Sequence, residues 1–140
     1  MTPKEECEEL MNGILPFTIN CLEKYGEFFP CGAVMRNDKT ITLTASYDGD
    51  EKPESKDVIV KLENIHRKLA NDGEIIASAI AYDTKINNQI EDAITISLEH
   101  KDNYSVKVVF PYKIKKKLFK NKIDFYDTLA NEGSNNIFKY

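Results

Sequence analysis

The stretch DAITISLEHKDNYSVKVVFPY, residues 92–112, decides the fold. Ile94, Ile96 and Leu98 alternate with Thr95, Ser97 and Glu99, which is the two-residue period of a strand with one apolar and one polar face. Tyr104, Val106, Val108, Phe110 and Tyr112 answer with the same period. Lys101, Asp102 and Asn103 separate the two runs. A three-residue turn there pairs Leu98 with Val106, Ile96 with Val108 and Ile94 with Phe110, and Asn103 tolerates the left-handed conformation that such a turn needs. The reading is an antiparallel hairpin, apolar residues inward and Thr95, Ser97 and Glu99 outward.

Upstream, residues 74–83 are apolar on both faces, with Ile75, Ala77, Ala79 and Ala81 against Ile76, Ile80 and Tyr82. A strand of that kind is covered on both sides. Before it, residues 55–72 read as a helix with Val58, Leu62, Ile65 and Leu69 as its buried stripe, Ser55 as N-cap, and Asn71-Asp72-Gly73 as its stop. Residues 48–54 are a polar loop around Gly49 and Pro53. Residues 31–36 and 40–47 form a second hairpin. A three-residue turn at Asn37, Asp38 and Lys39 puts Met35 opposite Ile41 and Ala33 opposite Leu43, whereas a two-residue turn sets apolar residues against threonines.

Residues 3–25 read as the first helix. Cys7, Leu10, Met11, Ile14, Phe17, Cys21 and Tyr25 recur at steps of three and four. Pro3 and the early glutamates suit the first turn, and Gly26 ends the element. Pro16 lacks an N–H and crowds the carbonyl of Asn12, which predicts a kink or two abutting helices. Downstream, residues 113–122 are lysine-rich, residues 124–131 read as a possible short helix ending at Gly133, and Ile137, Phe138 and Tyr140 are apolar enough to dock.

These elements predict one α+β domain over residues 1–140, with an antiparallel five-stranded sheet and the order α-β-β-α-β-β-β, closed by a possible terminal helix. That order resembles the roadblock and profilin-like scaffolds, in which helices cover both faces of one sheet. The analogy concerns fold, not function. Strand five is central in those scaffolds, and Pro111 cannot donate to a central ladder.

Four segments carry a second resemblance: KYGEFFPCGAV at 24–34, AIAYD at 79–83, LEH at 98–100 and FPY at 110–112. Together they resemble a family of small bacterial proteins with no assigned activity, over roughly residues 17 to 138. The family pattern has an aromatic where this chain has Cys31, so Cys31 is not a shared functional residue. The resemblance implies a bacterial, cytoplasmic context and no particular chemistry.

Charge is uneven along the chain. Residues 1–112 hold 12 Lys/Arg and 20 Asp/Glu, a net −8, while residues 113–140 hold 7 Lys and 3 Asp/Glu, a net +4. An acidic body therefore carries a basic C-terminal segment, and the overall −4 gives no general bias toward nucleic acid. The chain opens on Glu5, Glu6, Glu8 and Glu9, not on a basic and then apolar leader, and no apolar run approaches the ~20 residues that span a bilayer. The expectation is a cytoplasmic protein whose Cys7, Cys21 and Cys31 are free thiols.

Motifs of established chemistry are missing. The acidic run Asp48-Gly49-Asp50-Glu51 invites a calcium reading, but the fifth, sixth and twelfth loop positions are Lys52, Pro53 and Ile59. Cys and His spacings match no zinc pattern, and His66 lies beside its helix stripe. Glycine-rich phosphate loops, the G-x-S-x-G elbow and the H-E-x-x-H helix are absent. No cofactor and no metal are expected.

Three groups remain as candidate sites. Tyr25, Phe28 and Phe29, around Gly26 and Pro30, form an aromatic lip for a ligand or partner, although such corners more often plug a core. Lys115, Lys116 and Lys117, within the run from Lys113 to Lys122, offer a surface for an anionic partner, against the plainer reading of a solvated strand or loop. His100 stands opposite Tyr104 across the turn. Matching Ile80 with Ile94 places Glu74 on its other flank, so that His100, Glu74 and Tyr104 form a polar cluster or a cap on the sheet end.

The expected function is a small protein-binding module, an adaptor or an immunity-type protein, with a protein partner or a homodimer. Neither specific nucleic acid nor membrane is expected as a partner. The alternative is an enzyme or small-ligand binder with a pocket near His100, Glu99 and Tyr82.

Overall fold

The computed structural model describes residues 1–45, 54–86, 88 and 91–138. The end of the second predicted strand at Tyr47, most of the polar loop, the run Asp48–Glu51 and Tyr140 lie outside the described residues. Among the described residues, two helices and seven antiparallel strands make an α+β fold with one sheet.

Helix α1 spans Pro3–Tyr25. Thr2 caps it: its Oγ1 accepts the Glu5 N–H at 3.1 Å, and the Glu5 carboxylate accepts the Thr2 N–H at 3.2 Å. Gly26 ends it at φ 72°, a conformation that glycine adopts at no steric cost. The helix runs as one element through Pro16. Its buried face is Cys7, Leu10, Ile14, Thr18 and Leu22. Phe17 and Tyr25, expected on the stripe, are exposed. Thr18 falls eleven residues after Cys7, close to three full turns at ~3.6 residues each, and Phe17 falls one position short.

Strands β1 (Cys31–Arg36) and β2 (Ile41–Thr44) form the expected hairpin, Met35 opposite Ile41 and Ala33 opposite Leu43. Lys39 takes the left-handed turn position at φ 73°. Ile41 and Leu43 share the α1 side of the sheet but remain exposed, because β2 is an edge strand that α1 only brushes at Gly13.

Helix α2 spans Ser55–Asn71. Its N-cap is Glu54, not Ser55, and no side chain bonds the cap; the extended backbone turns helical one residue earlier than expected. The buried stripe is Val58, Leu62 and His66, at steps of four. Ile65 is exposed, so His66 takes the place that the sequence reading gave to its neighbour.

Strands β3 (Ile75–Ile86), β4 (Glu91–His100) and β5 (Tyr104–Lys116) form a meander. The β4–β5 register is the expected one, with Asn103 at φ 60°. The β3–β4 register is not. Ile80 faces Ser97 and Ala79 faces Leu98, three residues away from the expected match of Ile80 with Ile94. The reason is α1, which lies over β3. Ala77, Ala79 and Ala81 make room for the helix, and Ile94, Ile96 and Leu98 fill the space beside it.

The chain then departs from the predicted terminal helix. Residues 121–132 are two short strands, β6 (Asn121–Phe125) and β7 (Leu129–Glu132), both paired with β5. Among the described residues the sheet therefore has seven strands, not five, in the order β2-β1-β3-β4-β5-β6 with β7 also on β5. A strand as long as β5 offers an open ladder, and pairing satisfies that backbone better than one turn of helix would. Gly133 ends no helix. A Cβ there would lie 2.4 Å from the Val106 nitrogen, so glycine lets the chain cross close over β5.

Pro111 sits inside β5 at the change of partner. β7 pairs with Val106 to Val109, and β6 pairs from Tyr112 onward. The Pro111 carbonyl accepts the Tyr126 N–H at 2.9 Å, so the side of Pro111 that lacks an N–H also points outward. The ladder to β4 loses nothing.

Both faces of the sheet are covered. One core joins α1 to Ala33, Met35, the β3 alanines, Ile94, Ile96, Leu98 and Tyr112. A second joins α2 to Val34, Ile75, Ile80, Ile137 and Phe138, so the C-terminal segment docks as expected. Glu99, expected to face outward, is buried under the C-terminal segment, and Thr95, also expected outward, is buried beside Thr84, with 2.8 Å between their hydroxyl oxygens. No helix among the described residues is long and apolar enough to cross a membrane.

Candidate functional site

His100 ends β4 on the α1 side, opposite Tyr104 as expected. Its β3 neighbour is Ala77, not Glu74, which precedes the strand and is exposed. The carboxylate at the imidazole comes from α1: Glu6 Oε1 lies 3.1 Å from His100 Nε2. His100 Nδ1 accepts the Asp102 N–H at 3.0 Å, which leaves the ring proton on Nε2, facing Glu6. Lys39, from the β1–β2 turn, pairs with the other Glu6 oxygen. Burial pushes the Glu6 carboxyl up, but the hydrogen bonds from Lys39 and His100 outweigh it and hold the group below its ordinary value. Both Glu6 and His100 are closed to solvent. The cluster ties together α1, the hairpin turn and the end of β4. Glu6 is the partner that sequence could not supply, since it is 94 residues from His100.

The aromatic corner divides. Phe28 is buried in the α1 core, while Tyr25 is 74% and Phe29 45% exposed. The lysine run becomes the β5–β6 hairpin, and that hairpin stands beside the end of α1. Asn121 Nδ2 donates to the Leu22 carbonyl at 3.1 Å, and Lys120 lies 3.8 Å from Glu23. The two predicted binding groups thus meet at one end of the molecule. Lys115 is drawn to Asp124 at 3.0 Å, while Lys116 and Lys117 are exposed near the tip. The tip itself carries Leu118, 88% exposed, and Phe119, 92% exposed. The lysines dominate the sequence signal of this segment and mask the pair. The signal was present: two apolar residues inside a run of lysines have no polar face to alternate with.

On the opposite side of the sheet, α2 and the C-terminal segment enclose a pocket of about 230 Å3. Strand register sets its floor. Ser78 of β3 faces Glu99 of β4, and in the next row Ile80, Ser97 and Lys107 lie side by side across β3, β4 and β5. Ile59 and Glu63 of α2 form one wall, and Ser134, Asn136 and Ile137 form another. Glu99 anchors that second wall. Its oxygens accept the backbone N–H groups of Asn136 at 3.1 Å, Ile137 at 3.0 Å and Phe138 at 3.4 Å. Asn136 also donates to Glu63 at 3.0 Å.

Beside the pocket, on the same face of the sheet, His66 Nδ1 of α2 lies 2.7 Å from Ser78 Oγ and Nε2 lies 2.7 Å from Thr44 Oγ1. Gly32 makes this possible, since a Cβ there would stand 2.5 Å from Thr44 Oγ1 and 2.8 Å from His66 Nε2. Burial lowers the His66 pKa to about 4, so the imidazole is neutral at physiological pH. Of the expected pocket residues, Tyr82 and Glu99 line this cavity, and His100 lies on the other face of the sheet. His66, expected beside its stripe, is the histidine next to the pocket, bonded to the lining residue Ser78.

Cys7 and Cys31 are buried free thiols, and burial raises both to about 12; Cys21 is partly exposed. Among the described residues no group of three or more His, Cys, Asp or Glu side chains is placed to hold a metal ion. No family model, curated protein or solved structure matches the chain.

Proposed function

We propose that the chain is a protein-binding module of the adaptor or immunity type, and that the β5–β6 hairpin tip is its contact surface. One observation carries the reading: Leu118 and Phe119 are almost fully exposed side by side, on a hairpin whose flanks carry Lys115, Lys116, Lys117 and Lys120. Exposed apolar pairs of this kind are the centres of interfaces, and a charged rim gives orientation and a fast encounter. The partner that fits is a protein with an apolar pocket in an acidic surface. Tyr25, on the neighbouring end of α1, widens the contact with an aromatic anchor.

Two further points support the reading. The family pattern implies a bacterial cytoplasm, where small association modules are common. The net −8 of residues 1–112 opposes docking on an anionic lipid surface and leaves the tip as the cationic exception.

The test is capture of partners by the wild type and by a Leu118→Ser/Phe119→Ser variant. Both positions are solvent-exposed, so the variant melts at the wild-type temperature. A single stoichiometric partner with an acidic surface, retained by the wild type and lost by the variant, is the expected result. A partner held equally by both proteins sinks the proposal. So does preferential binding to anionic vesicles, which makes the tip a lipid contact. Concentration-dependent dimerisation lost in the variant makes the partner a second copy.

A further inference from the structure

The pocket under α2 is independent of the hairpin tip, and its chemistry is more specific. At about 230 Å3 it falls below the ~300–1,000 Å3 of drug-sized sites, so it suits a small metabolite. The Glu99 oxygens are occupied by the C-terminal segment, so Glu99 shapes the wall and is not the group that meets a ligand. The open polar groups lie elsewhere. Among the described residues none pairs with the Lys107 ammonium, the Ser97 hydroxyl or the Tyr82 hydroxyl. Glu63 is bonded through one oxygen to Asn136.

Their arrangement is polar across and apolar along. Lys107 stands on β5 at one flank, and Glu63 reaches in from α2 on the β3 side. Opposite charges thus face one small cavity, and a ligand that meets both must carry its own two charges close together. An α-amino acid carries its ammonium and its carboxylate on one carbon. Ser97, between the two flanks, can donate to the same carboxylate. Ile59, Ile80 and Ile137 line the remaining space with branched aliphatic surface. A bare carboxylate would meet Glu63 unpaired, and a bare amine would leave Lys107 unpaired, so neither satisfies both walls.

We propose that this pocket binds a small aliphatic α-amino acid as its zwitterion, carboxylate toward Lys107 and Ser97, ammonium toward Glu63, and side chain on the three isoleucines.

The test titrates the full chain with L-leucine, 3-methylbutylamine and 4-methylpentanoate, followed by amide NMR shifts and calorimetry. The expected result is saturable L-leucine binding, with shifts centred on Ile80, Ser97, Lys107 and Ile137. The two half-ligands bind at least about tenfold more weakly, as the loss of one charge-assisted contact requires. Lys107→Met and Glu63→Gln each weaken leucine binding by at least about tenfold while the melting temperature is kept. Lys107 is only partly buried, so its variant folds. No saturable shift up to the solubility of leucine overturns the proposal. Equal binding of all three compounds, shifts centred on another face, or full leucine binding by both variants does the same.

Discussion

His66 is fully buried and held at both ring nitrogens by hydroxyls, and this gives the fold a pH dependence of definite sign. Its folded pKa, about 4, lies below the ordinary 6.5. The unfolded chain therefore binds more protons between those values, and stability rises with pH across that window. The contribution is complete above pH 6.5 and falls away as pH drops toward 4, by about 3 kcal/mol at ~1.4 kcal/mol per unit. Denaturant melts in small pH steps should show this slope, and His66→Gln should flatten it. A wild-type slope that persists in the variant contradicts the assignment. Glu6 acts lower on the scale. Its depressed pKa adds stability that is present above the ordinary 4.5 and is lost as pH falls through the folded value. Single residues were the hardest scale to read from sequence. His100 was legible as a site residue because its cross-turn neighbour Tyr104 is local, but Glu6 reaches it only once α1 has docked. His66 looked like a bystander because one turn of helix leaves its stripe open by a residue on either side, and only the sheet beneath chooses between Ile65 and His66.

At the scale of elements, both three-residue hairpins and both helices were legible, because turn residues and periodicity are local signals. The β3–β4 register was not, because it depends on which residues α1 lies upon. A pairing of bulky side chains with bulky ones misses the offset, because the helix demands alanines beneath it. Strands β6 and β7 were missed for a related reason: each is too short to be stable alone and exists because β5 offers a ladder. Of the candidate sites, the lysine run was legible as a surface, but the pocket was not, since Ser78, Ser97, Lys107 and Ile137 come together only across strands and from the C-terminal segment. That segment depends on Gly133. Gly133→Ala places a methyl group 2.4 Å from backbone nitrogen, where no rotamer can relieve the contact. The expected cost is roughly 2 kcal/mol, within the range for overpacking, with loss of the protected amides at Ile137 and Phe138. A wild-type urea midpoint together with protected amides in this variant would count against the crossing.

Taken as a whole molecule, the charge is polarised, −8 over residues 1–112 and +4 over the remainder. The β5–β6 hairpin can neutralise a few phosphates, while the acidic body repels the rest of a duplex, so nucleic-acid binding should be weak and should vanish near physiological salt. Fluorescence anisotropy with duplex and single-stranded oligonucleotides across a salt series checks this, and tight binding that survives that salt would reverse it. The break at Pro111 has a consequence of another kind. β5 is 13 residues long, and one strand covering all of it would present a continuous outer border of similar length to other chains. Because the border is divided at the proline, β6 contributes only 5 residues and β7 only 4, and β2 at the opposite border is also 4. Among the described residues each of the three borders is shorter than the ~6–7 residues of a typical cross-β segment, so the break at Pro111 shortens the length over which another copy could pair with the β5 side of the sheet.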